Sequence, residues 1–86
     1  MDEEKYIAVF ASYSHTALLY NKLQELNIDS EIISTPYKLT VGCSKSVVFD
    51  AKNLGKVTNA IRINNLLCRG IFEKVIYKND ITYILI

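Results

Sequence analysis

Two short runs in this chain are apolar almost from end to end: Lys5 to Ala11 (Lys-Tyr-Ile-Ala-Val-Phe-Ala) and Lys45 to Asp50 (Lys-Ser-Val-Val-Phe-Asp). A strand that alternates apolar and polar residues can leave one face in water. A continuous apolar run must be covered on both faces. Both runs are therefore expected as central strands of a sheet, and whatever else the chain forms must cover them.

The stretches between them supply the cover. Ser12 and Ser14 offer N-caps for a helix over about Ser14 to Leu26, with Leu19, Leu23 and Leu26 on one stripe beside Thr16 and Tyr20. Asn27 suits a left-handed C-terminal residue. Asp29 to Ser34 is a more polar strand, expected near an edge and closed by Thr35-Pro36, since proline cannot donate to a ladder. After the Lys45–Asp50 strand, Asp50 or Asn53 caps a second helix expected from Leu54 to Cys68. Its stripe is Val57, Ile61 and Cys68, and Gly70 is the stop signal. Ile71 to Lys78 and Ile81 to Ile86 then read as a hairpin around Asn79-Asp80. The order is β-α-β-β-α-β with one added β. It predicts a single α+β domain over residues 1–86, a ferredoxin-like sandwich with an extra C-terminal edge strand.

Composition narrows the function classes. Ten basic and nine acidic residues give a net charge of +1, with no basic stripe interleaved with aromatics, so nucleic acid is a poor expectation. The charged start (Met-Asp-Glu-Glu-Lys) does not read as a signal peptide, and no apolar run approaches ~20 residues, so neither export nor membrane insertion is expected. Two cysteines do not make a disulfide scaffold, and the expected compartment is the cytoplasm, where thiols stay reduced. Two Cys and one His fall short of a zinc site, the three Gly form no phosphate loop, and no cofactor or metal is implied.

The loop from Tyr37 to Ser44 carries the chemistry. In the predicted topology it lies at the same sheet edge as the start of the first helix, so Cys43 is expected near Ser12, Tyr13 and Ser14. A helix N-terminus presents unpaired N–H groups and partial positive charge, and it favours the thiolate, which is the nucleophilic form of cysteine. His15, in that first turn, is a candidate cation or proton shuttle, and Lys38 and Lys45 are expected to add positive charge near the thiol, which makes Cys43 an expected exposed, reactive cysteine. Cys68 is expected to reach the same end of the molecule. It reads as a small buried hydrophobe, or as a thiol that partners Cys43. Scaffold readings stand beside these: Cys43 as an ordinary loop cysteine and His15 as a polar first-turn residue.

The chain resembles a family of small bacterial proteins described as sulfur/selenium (Se/S) carrier protein-like. Three segments carry the resemblance. They are Tyr6 to Phe10 followed by Ser14-His15-Thr16-Ala17; Leu23 to Ile33; and Thr35-Pro36, a spacer, Gly42-Cys43, then Val47-Val48-Phe49. The family usually has Gly directly after the cysteine; here Ser44 follows and Gly42 precedes. The resemblance implies a carrier rather than an enzyme. Cys43 would hold sulfur or selenium as a persulfide or selenosulfide, between donor and acceptor proteins, without a cofactor.

Two other readings remain open on the residues alone. The final strand, apolar almost throughout, could mediate protein–protein contact, including a homodimer by edge association. A regulatory ligand-binding module is a further use of such folds, resting on fold analogy.

Overall fold

The computed structural model describes residues 4–39 and 42–86. Met1, Asp2 and Glu3 of the charged start and the loop residues Thr40 and Val41, all part of the expectations above, lie outside the described residues. The chain folds as β1 (Lys5–Phe10), α1 (Tyr13–Glu25), β2 (Ser30–Ser34), β3 (Lys45–Asp50), a 3-10 turn (Ala51–Asn53), α2 (Leu54–Ile63), β4 (Cys68–Tyr77) and β5 (Asp80–Leu85). This is a small α+β protein with two helices and one five-stranded antiparallel sheet, in the order β2-β3-β1-β4-β5.

The two apolar runs, β1 and β3, are interior strands, and β1 is covered on both faces. Alternation along the strand sends Ala8 and Phe10 to one face, where they join Val47 and Phe49 beneath Leu19 and Leu23 of α1 and Val57 and Ala60 of α2. Ile7 and Val9 point to the other face and pack with Phe72 and Leu39. Full burial of each such Leu, Phe or Val contributes ~1.5–3 kcal/mol. Leu39 comes from the loop between β2 and β3, so that loop lies across the helix-free face of the sheet.

Both helices end on asparagine. Asn27 takes φ 56°, as expected, and its N–H returns to Gln24 O. The second helix is shorter than its periodicity predicts. It stops at Ile63, Asn64 Nδ2 donates to the Ala60 carbonyl at 2.8 Å, and Asn65 turns the chain at φ 54°. The Asn64-Asn65 pair, not Gly70, is the stop signal. Cys68 is therefore no part of a helical stripe but the first residue of β4. Leu26 also departs from its predicted stripe and is exposed at the end of α1. The hairpin turn falls one residue early, with Lys78 and Asn79 at φ 50° and 65° and Tyr77 paired to Asp80. Two consecutive positive φ values match the right-handed twist of the strands on either side.

Capping also differs from expectation. Ser12 is the N-cap of α1, but its hydroxyl makes no cap bond and lies 3.0 Å from Ser14 Oγ. Asp50 and Asn53 precede the 3-10 turn and α2 without side-chain caps. The Asp50 carboxylate is instead paired with the Lys5 ammonium across β1 and β3.

Gly70 sits in β4 rather than past a helix. It lies opposite Val9, and at the next step Phe10 faces Cys68 instead of Arg69, so β4 carries a one-residue bulge here. Gly70 has φ 156°, and an added Cβ would come within 3.0 Å of the Phe72 ring. The bulge exchanges the faces of the residues before it. Cys68 packs against the helix-side core, while the Arg69 side chain reaches the loop on the opposite face.

Candidate functional site

Four segments meet where β1 ends: the Phe10–Ser12 turn, the first turn of α1, the end of the Thr35–Ser44 loop, and Leu66–Cys68. Phe10 is the common point. Its carbonyl accepts the Cys43 N–H at 2.7 Å, and its Cα pairs with Cys68 across β1 and β4. Both cysteines are free and half-buried. Cys43, Cys68 and the start of α1 thus lie at the same end of the sheet, as expected, though Cys68 arrives on a strand and packs on the helix side.

Close approach at residue 42 requires glycine. A Cβ there would lie 2.4 Å from the Phe10 carbonyl oxygen and 3.1 Å from both Arg69 Cγ and Val9 Cγ1. Gly42 therefore presses the loop onto β1 and against β4 at once. Cys43 is then fixed at both backbone groups. Its N–H donates to Phe10, and its carbonyl accepts the Thr35 hydroxyl at 2.8 Å. Thr35 Oγ1 also lies 2.5 Å from the fully buried Ser46 Oγ. Since the single Thr35 proton goes to Cys43, Ser46 is the donor in that pair. The Thr35 N–H donates to Ser44 O at 2.7 Å, which extends the β2–β3 ladder one step past Ser34–Lys45.

The helix is tied to the same edge. The buried Thr16 hydroxyl bonds Lys45 O at 3.1 Å and Ser12 O at 3.3 Å, joining the first turn of α1 to the start of β3. His15 serves a structural bond. Its Nδ1 accepts the Leu67 N–H at 2.9 Å, which leaves the ring proton on Nε2. Ala11 N–H in turn donates to Leu67 O at 2.9 Å, so the residue before Cys68 is clasped from both sides. Of the two thiols, it is Cys68 whose sequence neighbour His15 touches.

Lys38 corrects an expectation. Its ammonium donates to Ile81 O at 2.6 Å and lies 3.6 Å from Asp80 Oδ1, at the start of β5. It anchors the far end of the loop beside the β4–β5 turn, away from the edge that holds Cys43. Lys45 Nζ bonds Ser34 Oγ at 3.2 Å. The Cys68 thiol is pushed up from its ordinary value of 9.0 by burial, against a smaller lowering by a backbone hydrogen bond at Gly70. Among the described residues no group of three or more His, Cys, Asp or Glu could hold a metal ion.

Thr35, Phe10 and Arg69 were not legible as site residues. Only Thr35 had a signal. Antiparallel pairing of β2 with β3 continues naturally to Thr35 and Ser44, which puts the Thr35 side chain beside residues 43–46.

A sheet carrying two helices on one face and a strapped cysteine loop on the other defines a small α+β thiol-bearing protein. The chain belongs to the family described as Putative Se/S carrier protein-like, whose profile matches residues 5–73. That span holds Thr35, Gly42 and both cysteines and ends within β4, so β5 lies outside it. No curated protein and no solved structure matches the chain.

Proposed function

We propose that this protein carries sulfur or selenium on Cys43 and hands it to a partner protein. The family supports a carrier role in general. The observation that carries the assignment to Cys43 is its backbone: both polar groups are fixed, to Phe10 and to Thr35, while the residue as a whole is only half-buried. A carrier thiol must be reachable by donor and acceptor yet held in one place, and a loop cysteine pinned by its main chain meets both needs.

The loading step is thiol–persulfide exchange. The Cys43 thiolate attacks the terminal sulfur of a donor protein's persulfide. A new S–S bond forms on Cys43, the donor's S–S bond breaks, and the donor leaves as its thiolate. No outside oxidant is needed. Delivery repeats the exchange with an acceptor nucleophile, and a terminal selenium would move in the same way.

Several finer readings go with this one. The order β2-β3-β1-β4, with β1 between β3 and β4, supports a ferredoxin-like split βαβ core. The fifth strand, outside β4, is what distinguishes the five-stranded sheet from the four-stranded form. A reducing compartment such as the cytoplasm is the setting in which two free thiols persist; no helix among the described residues is long and apolar enough to cross a membrane. A second reading, association through β5, is favoured by its position at the sheet edge and by the exposure of Ile84 and Leu85.

Mass spectrometry of the reduced protein after exposure to a cysteine desulfurase and cysteine tests the carrier reading. The expected result is one added sulfur on Cys43, absent from Cys43→Ser. No adduct, with Cys43 alkylated no faster than an ordinary thiol at neutral pH, would sink it.

A further inference from the structure

We propose that β5 pairs with β5 of a second copy of this chain, antiparallel and centred on Ile84, so that two sheets join edge to edge into one. The inference rests on the second reading above, association through β5, and gives it a partner and a register. It does not depend on the carrier reading. What carries it is the set of main-chain groups that β5 leaves open.

Hydrogen bonds between antiparallel strands alternate, so every second residue of an edge strand turns its N–H and C=O away from its neighbour. The Ile86 N–H donates to Ile71 O at 2.9 Å, which sets the phase. In the register Glu73↔Ile84, Val75↔Thr82 and Tyr77↔Asp80, the even-numbered residues of β5 bond β4, and Ile81, Tyr83 and Leu85 face outward. Ile81 agrees with this phase, because side chains take both its groups. Its N–H donates to Asp80 Oδ1 at 3.1 Å, and its carbonyl accepts the Lys38 ammonium at 2.6 Å. Among the described residues no backbone partner meets the outward groups of Tyr83 and Leu85. The edge is therefore plugged at Ile81 and open at Tyr83 and Leu85.

The plug selects the register. A strand that pairs with its own copy across a two-fold axis must match outward residues with outward residues. Centring on Thr82 or Tyr83 brings Ile81 into the ladder and would displace Lys38 and Asp80. Only centring on Ile84 pairs both open residues with open residues of β5 and leaves the plug in place. Tyr83 then meets Leu85 of the second copy, Leu85 meets its Tyr83, and each pair exchanges both bonds. Side chains suit this pairing on both faces. Tyr83, packed against the cluster of Ile7, Val9, Leu39 and Phe72, stands across from Leu85, which is 64% exposed. On the helix side Ile84, 49% exposed, meets its own copy, and Thr82 lies opposite Ile86. No charged residue falls between Ile81 and Ile86, so no like charges oppose each other.

The opposite edge of the sheet is built against such pairing. β2 carries the exposed charge of Glu31 between Ser30 and Ser34, and Pro36 follows it. The chain bears a net charge of only +1, so two copies approach without appreciable repulsion. Ile84, Leu85 and Ile86 are three consecutive exposed apolar residues, and the joined sheets cover them.

The test uses the full chain. Under reducing conditions, sedimentation velocity should show a monomer that becomes a dimer as concentration rises. Leu85→Pro should abolish the dimer. The Leu85 N–H makes no bond to β4, so proline there removes an outward donor and leaves the intrachain ladder intact. Ile84→Lys, which sets two ammonium groups face to face across the axis, should do the same. Circular dichroism checks the fold of both. Cysteine cross-linking with peptide mapping reads the register. Opposed residues of a pair without hydrogen bonds have Cα atoms ~4.5 Å apart, within disulfide reach. Under mild oxidation Ile84→Cys should therefore link to its own copy across the axis, and Thr82→Cys should not. A chain that stays monomeric at NMR concentrations, or a dimer that survives both Leu85→Pro and Ile84→Lys, overturns the proposal together with association through β5. A dimer that both substitutions abolish, but that links through Thr82→Cys instead of Ile84→Cys, keeps association through β5 and overturns this register. Loading of Cys43 with sulfur is read separately, so each of these outcomes leaves the carrier reading where it stood.

Discussion

Thr35 holds Cys43 by its side chain, the hydroxyl donating to the Cys43 carbonyl at 2.8 Å while the Thr35 N–H donates to the next residue's carbonyl, Ser44 O, at 2.7 Å. One residue at the start of the loop therefore fixes two successive peptides at its end. The hydroxyl also accepts from Ser46, which is fully buried. This small cluster sets where the thiol stands.

Replacing Thr35 by valine keeps the shape and removes the hydroxyl. The buried Ser46 then loses its acceptor and Cys43 its donor. Leaving a buried polar group unpaired costs ~1–3 kcal/mol. Urea denaturation of Thr35→Val should show a loss in that range, and alkylation of Cys43 should quicken because its carbonyl is released. A stability equal to wild type would mean that the cluster does not hold the loop.

Gly42→Ala and Gly55→Ala make an opposed pair. A Cβ at Gly42 would lie 2.4 Å from the Phe10 carbonyl oxygen, a main-chain atom in a central strand, whereas one at Gly55 meets nothing within 4 Å. Gly42→Ala must push the loop off β1 and break the Cys43–Phe10 bond, at a cost of ~1–3 kcal/mol. Gly55→Ala, in the exposed first turn of α2, should stabilise by ~0.4–1 kcal/mol. Chemical denaturation of both reads the opposite signs directly.

Lys38 and Leu39 are adjacent, but their substitutions should differ sharply. Leu39 is 5% exposed, in the cluster with Ile7, Val9 and Phe72. Leu39→Ala should cost ~2–5 kcal/mol through lost burial and the cavity left behind. The Lys38 contacts with Ile81 and Asp80 are solvent-exposed, and such pairs are worth at most ~1 kcal/mol. Lys38→Ala should therefore be nearly silent in urea. Leu39→Ala should also raise the rate of Cys43 alkylation, since Leu39 keeps the loop on the sheet.

The Cys68 thiol gives a pH dependence of known sign. Burial raises it above 9.0, so the folded state holds its proton where the unfolded chain has begun to release it. Its contribution is fully present below the unfolded value and is lost as pH rises from about 9.0 through the higher folded value. Stability of the wild type relative to Cys68→Ala should be flat through neutral pH and decline in alkali. Alkylation of Cys68 should lag that of an unburied thiol at neutral pH and catch up as pH rises. A Cys68 that alkylates at neutral pH as fast as a free thiol would contradict both.

Local pattern alone determined most of the scaffold. The apolar runs of β1 and β3 could only be interior strands, the Leu19–Leu23 stripe could only face the sheet, and Asn27 could end a helix without help. These are properties of neighbouring residues, fixed by period and backbone freedom. The position of Cys68 was not of that kind. Its helical spacing from Ile61 fitted α2, but Asn64 and Asn65 ended the helix first, and the Gly70 bulge in β4 then chose which residue faces Phe10. The site was decided in the same way. The Thr35 bond to Cys43, the seat of Gly42 on the Phe10 carbonyl, and the capture of Lys38 at the β5 end of the sheet all join residues with no local relation. Each exists because the loop lies across the open sheet face to bury Leu39, and only the assembled sheet presents that face.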